Sequence, residues 1–305
     1  MTGKSRRIVA IGECMVEFAP TDGSVGAGQY RQSFAGDTFN MAWYLRRLLP
    51  RDFEVDYLTA LGDDPMSARM RAFIADAGIG TDHIATIPGR APGLYVISLD
   101  RGERSFSYWR GQSAARCLAA DRARLDRAFR SADALVFSGI TLAILPDGDR
   151  DSLLSALAAA RARGARVVFD PNLRPRLWPN TETMCRWISR AAAGADLVLP
   201  SFEDESAAFG DGSPEATAAR YLQDGARQVV VKNGAAEVLW QGDEGRGRYQ
   251  PPAIAELVDT TAAGDSFNAA FLAAMLDGKG PEAAVYAAAA VAGRVIGKRG
   301  ALVDI

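Results

Sequence analysis

The chain has 305 residues with 35 lysines and arginines against 37 aspartates and glutamates, a formal net charge of −2 that offers nucleic acid no electrostatic footing. At 48% hydrophobic and 24% charged residues it has a globular composition, long enough for one large α/β unit with a small appendage. A single histidine, His83, excludes a zinc site built on several imidazoles and leaves carboxylates as the acid–base groups, while Cys14, Cys117 and Cys185 lack metal-ligand spacing and read as thiols of a reducing compartment.

In chain order, residues 1–7 lead straight into the strand-like Ile8-Val9-Ala10-Ile11 without an apolar signal core. No later run is long enough to span a membrane, so a cytoplasmic protein is expected. Residues 13–34 read as strands joined by a turn at Asp22-Gly23. Short β-rich runs follow at 55–60, 134–137, 166–169, 197–199 and 229–231. Amphipathic or alanine-rich stretches at 66–77, 147–163, 181–193 and 214–223 each come after one of the first four, which predicts a mostly parallel sheet flanked by helices. Ligands of such a sheet gather at the carboxyl ends of its strands. Residues 93–110 again form strand, turn and strand, around Asp100-Arg101-Gly102, with no helix. Together with 13–34 they predict one small inserted sheet, a lid able to exclude water from a site. Its exposed edges invite a second copy, and a homodimer is expected. Residues 242–247 predict a hairpin turn, and the arginine-rich stretches 122–130 and 161–166 predict solvated helix faces.

The segment Asp259-Thr260-Thr261-Ala262-Ala263-Gly264-Asp265-Ser266-Phe267-Asn268 ends a loop in small residues and opens an apolar helix over 266–275. Small side chains at Ala262, Ala263 and Gly264 let the first amides of that helix approach an anion closely. Asp265, beside them, is placed to take a proton from a hydroxyl while the amides hold a moving phosphoryl group. An acidic residue there also complements the helix dipole without any catalysis. No Gly-x4-Gly-Lys-Ser/Thr and no Gly-x-Gly-x-x-Gly after the first strand occurs, so phosphate is held by neither of those loops.

That segment, with Ala269-Ala270-Phe271-Leu272 after it, resembles the C-terminal signature of the ribokinase-like (PfkB) sugar kinases, and the resemblance extends over nearly the whole chain. It implies a ribokinase-like α/β fold and transfer of phosphate from ATP, with Mg2+, to a small alcohol. Ala35-Gly36-Asp37-Thr38-Phe39-Asn40 resembles the family's glycine pair and asparagine, although Ala35 stands where glycine is usual. By the resemblance Gly36, Asp37 and Asn40 meet sugar hydroxyls, whereas the residues by themselves also read as a helix start capped by Asp37. Asn172, Ser201, Lys232 and Gly234 fall at positions that meet the nucleotide, and Ala263 and Gly264 at its phosphates. Asp204 falls where the family orders magnesium. Narrower motifs resemble the 2-keto-3-deoxygluconate kinases: Glu13-Cys14-Met15-Val16-Glu17, Pro92-Gly93-Leu94-Tyr95, Tyr108-Trp109-Arg110 and Asp170-Pro171-Asn172-Leu173-Arg174. Tyr95, Tyr108 and Arg110 would then line a sugar-acid pocket, with Arg174 near substrate and transferred phosphate. A carboxylate is well matched by guanidinium and phenol donors, whereas a neutral hexose gives arginine no charge to pair with. A kinase for a neutral sugar such as fructose or ribose, and a non-catalytic sugar or nucleotide sensor on the same scaffold, are the rival readings.

Overall fold

The computed structural model describes residues 6–21, 28–100, 103–254 and 256–305. The chain opens with β1 (Arg6–Ile11), β2 (Met15–Pro20), β3 (Tyr30–Ala35), α1 (Asp37–Leu48), β4 (Phe53–Leu61), α2 (Pro65–Asp76) and β5 (Ile84–Thr86). It continues through β6 (Leu94–Asp100), β7 (Glu103–Trp109), α3 (Arg122–Phe129), β8 (Ala134–Ser138), α4 (Gly139–Ile144), α5 (Asp147–Ala162), β9 (Arg166–Asp170) and α6 (Thr181–Ala193). The remainder is β10 (Leu197–Val198), α7 (Phe202–Phe209), α8 (Pro214–Asp224), β11 (Gln228–Val231), β12 (Val238–Gly242), β13 (Gly245–Tyr249), α9 (Ala263–Leu276) and α10 (Pro281–Ile296).

Nine strands make one sheet in the order β13-β12-β11-β10-β9-β8-β1-β4-β5, parallel from β11 to β5, with a β12–β13 hairpin closing one edge antiparallel. Both faces are covered, which is why its strands read as continuous apolar runs. Along β1, Ile8 and Ala10 enter one core with Phe39 and Phe271, while Val9 and Ile11 enter the other with Leu125 and Ile188. Each fully buried large side chain of this kind contributes about 1.5–3 kcal/mol. Helix starts are locally specified: Asp64 accepts from the Met66 and Ser67 amides ahead of α2, and Asn180 and Ser213 do the same for α6 and α8.

The second sheet is small, in the order β3-β2-β6-β7, with β2 and β6 parallel and the other pairs antiparallel. It is built from the two stretches that interrupt the helix–strand alternation. The turn residues Asp22, Gly23, Arg101 and Gly102 lie outside the described residues. Two expectations are corrected. Of residues 161–166 only Arg161 and Ala162 are helical, because α5 stops at Ala162 and β9 starts at Arg166. In α3, Arg124 is turned inward, donating to the carbonyls of Thr59 and Leu118.

Candidate active site

The site is assembled from the carboxyl ends of β1, β9, β10 and β11 and the amino ends of α1 and α9. Helix α9 begins at Ala263 after Ala262, whose φ of 60° lies in the left-handed region, and no side chain caps it. The Ala263 amide is already given to the Thr260 carbonyl at 3.2 Å, while the Gly264 and Asp265 amides have no partner among the described residues. Among the described residues only Asn172 (φ 36°) and Ala262 are non-glycine residues with positive φ, and both lie here. Such backbone persists where surrounding structure holds it, and it concentrates at working sites.

Asp265 accepts a 2.7 Å hydrogen bond from Asn40 Nδ2 through Oδ2. Burial, and then the nearby Asp37 carboxylate, push its carboxyl up to about 7 against the opposing pull of that bond. A carboxylate with so high a pKa is matched to taking a proton near neutral pH.

One turn along α9, Asn268 Nδ2 donates to Asp170 Oδ2 at 2.8 Å, and Lys232 Nζ donates to Asn268 Oδ1 at 3.0 Å. The same ammonium lies 3.6 Å from Asp170 Oδ1, and a Cβ on Gly264 would meet it at 3.7 Å. Lys232 thus stands over the open start of α9. Asn172 donates from Nδ2 to Asp37 Oδ2 at 2.9 Å, with its amide given to Asp170 Oδ1 at 3.2 Å. Burial also raises the Asp170 carboxyl, with Lys232 opposing the shift. Three carboxylates, Asp37, Asp170 and Asp265, therefore share this wall, each held by an asparagine amide, with one part-buried lysine among them.

The residues expected on the sugar side, Tyr95, Tyr108 and Arg110, lie on β6, on β7 and just after β7. Tyr95 is buried and donates its hydroxyl to Glu17 Oε2, whose Oε1 accepts from Ser33 at 2.7 Å, so that phenol is already engaged. Tyr108 is half-exposed on the same face, its ring 5.8 Å from that of Tyr95. Arg110 Nη2 is ion-paired with the buried Glu13, while its Nη1 has no hydrogen bond among the described residues. Arg174, half-exposed, donates to Asp204 Oδ2 at 3.4 Å, so the candidate metal ligand is paired with the candidate phosphate-binding arginine. Ser201 forms a bridge with Lys232 at the head of α7. Gly234 has a φ of 55° with open space where a Cβ would stand, so its glycine serves the turn.

Asp170, Asn268, Glu13 and Glu17 are site residues without an assigned role in the sequence reading, although all sit inside its motifs. Asp170 was findable as a carboxylate ending a predicted strand, and Asn268 as the residue three positions after Asp265 on one helix face. His83 is elsewhere, beside Arg7 at 2.7 Å. A cavity of about 540 Å³ opens at the other end of the sheet, where Arg161, Arg166 and Arg227 are each paired with Asp196, Glu244 or Asp243. It lines the amino ends of β9, β10 and β11, away from the candidate site.

A 2-dehydro-3-deoxygluconokinase of Haemophilus influenzae is 37% identical over 305 residues, 98% of this chain and 96% of that protein. The crystal structure of a PfkB protein from Polaromonas sp. JS666 superposes with a TM-score of 0.83 at 31% identity, covering 96% of each chain. That of an Escherichia coli putative ribokinase II in complex with ATP and Mg2+ also has a TM-score of 0.83, at 20% identity, over 98% of this chain and 94% of that one. No helix among the described residues is long and apolar enough to cross a membrane. Residues 5–305 match the profile of the pfkB family carbohydrate kinases, and the chain belongs to that family.

Proposed function

We propose that the chain transfers the terminal phosphoryl group of ATP to the C6 hydroxyl of 2-keto-3-deoxygluconate, the substrate named for its Haemophilus relative. The observation that carries the reading is Asp265, a carboxyl raised to about 7 at the uncapped start of α9. Asp265 takes the hydroxyl proton as the sugar oxygen bonds to phosphorus and the bond to the departing ADP oxygen breaks. The Gly264 and Asp265 amides, together with Lys232, hold the charge that moves with the phosphoryl group. Asn40 fixes the orientation of the base, and the outer N–H groups of Arg110 meet the sugar carboxylate. Arg174, on the nucleotide side, is near enough to Asp204 to exchange that partner for phosphate. The small sheet covers the reacting groups from water as a lid.

Bound with ATP, magnesium neutralises the phosphate charge and polarises the transferred group. Among the described residues no three carboxylates, histidines or cysteines form a metal cage. The donor set fits a hard, oxygen-seeking cation, which the Asp170 and Asp204 carboxylates would face.

A side-by-side assay of ADP formation over sugar acids and neutral sugars tests the reading. Preference for 2-keto-3-deoxygluconate is expected. Preference for fructose or ribose would overturn the sugar-acid assignment, and no ADP with any sugar would overturn the kinase.

A further inference from the structure

We infer that Glu13 is the positioning residue that sets discrimination between sugar acids and neutral sugars, by holding Arg110 at the root of the small sheet. The inference rests on the sugar-acid reading proposed above.

The chain crosses between the two sheets four times, and the residues at the crossings touch one another. Glu13 precedes β2, Gly36 follows β3, Gly93 precedes β6 and Arg110 follows β7. A Cβ on Gly36 would lie 2.2 Å from the Glu13 carbonyl oxygen, and one on Gly93 would lie 2.6 Å from Glu13 Oε1 and 3.2 Å from Arg110 Cβ. The Val16 amide donates to the Gly93 carbonyl at 2.8 Å. Glycine at positions 36 and 93 leaves the room in which a glutamate side chain passes between the crossings. Gly36 also leads into α1, where Asn40 holds Asp265, so this root is continuous with the reacting end of the site.

Glu13 is 2% exposed, and a carboxylate buried that deeply stays charged only beside a partner. Arg110 is that partner, yet the pair meets through one N–H. Glu13 Oε1 and Arg110 Nε, both buried, have no hydrogen bond among the described residues. A pair built only for stability would close both contacts side by side. Here the inner edge of the guanidinium is tethered and part of its donor set is left over. Without the tether, Arg110 would have to give up rotamer freedom each time it met a ligand. A sugar acid brings a second carboxylate to share the guanidinium, while a neutral sugar brings none. Glu13 therefore acts on the acid alone, through Arg110, without touching the substrate.

The test is a double-mutant cycle on Glu13 and Arg110, reading KM and kcat separately for 2-keto-3-deoxygluconate, for a neutral sugar and for ATP. Glu13→Gln is expected to raise KM for the acid by about tenfold, as for loss of a charged hydrogen bond. Its kcat should fall by much less, and KM for ATP and the neutral sugar should hold within about twofold. In an Arg110→Ala background the same change should add nothing further to KM. An unchanged or lower KM for the acid, or an equal effect in both backgrounds, overturns the role of Glu13. A merely structural Glu13 would lower activity on every substrate in parallel. If Glu13→Gln does not fold, Arg110→Lys replaces it: this keeps the charge opposite Glu13 but lacks the planar second edge. It should raise KM for the acid alone, and a parental KM would overturn the inference. Absence of turnover of any sugar acid by the parent protein would instead bring down the proposed function itself.

Discussion

At the scale of single residues, Asp265 joins two demands that conflict. Burial and the negative neighbour Asp37 penalise its charged form, and that same penalty gives it a proton affinity suited to the proposed proton removal. With a carboxyl at about 7, kcat/KM for the sugar should rise about tenfold per pH unit below neutrality and level off above it. A profile flat from pH 5 to 8 would contradict the assignment. The stability consequence has a definite sign. The folded pKa lies above the unfolded value of about 3.9, so between those values the folded state binds a proton that the unfolded state does not. This group therefore stabilises the fold increasingly as pH falls from about 7 toward 4, and its charged form is a fixed penalty above that range. Asp265→Asn should accordingly melt higher than the parent at pH 8, with the difference shrinking by pH 5. An equal or lower melting temperature at pH 8 would show that the charge is tolerated without cost. Asp265 was legible in the sequence because a helix start is a local feature. The Glu13–Arg110 pair was not, since 97 positions of chain separate partners whose contact depends on how two sheets meet.

At the scale of elements, α7 and α8 are tied by a cluster that has no local sequence signature. Glu205 is fully buried and accepts from Tyr221 at 2.9 Å and from Arg220 at 2.8 Å, with Arg220 also bound to Asp211 at 2.7 Å. Burial drives the Glu205 carboxyl up to about 7, with the Arg220 charge opposing the shift. Removing Arg220 leaves that carboxylate uncompensated, so Arg220→Ala should cost about 3–5 kcal/mol of unfolding free energy in urea. A loss under about 1 kcal/mol would place the cluster in the class of surface pairs. Because Asp204 is the neighbour of Glu205 on α7, ATP affinity should weaken in the same variant. The strands and long helices were readable from periodicity, as with Thr181–Ala193, predicted and found with the same bounds. Helix α4 escaped, its six residues being too few to show a helical period. The stretch 161–166 misled because charge marks a solvated surface without specifying a helix.

At the scale of the whole molecule, the alternation of strand and helix specified a parallel sheet covered on both faces, and the two β-rich interruptions specified a second, smaller one. What the sequence left open was which side chains meet where the sheets join. Three asparagines on α1, on α9 and after β9 each hold one carboxylate, an arrangement that exists only once the strand order brings those elements together. The proposed chemistry then lies at one end of the molecule, at the carboxyl ends of β1, β9, β10 and β11. The opposite end carries paired surface charges. The central claim is that Asp265 removes the proton from the sugar hydroxyl at the amide-lined start of α9. It is tested most directly by ADP formation in Asp265→Asn, with ATP, magnesium and 2-keto-3-deoxygluconate, beside ATP affinity for the same protein. The account predicts turnover lower by about 10²- to 10⁴-fold with ATP affinity held within about twofold. Undiminished turnover would contradict it.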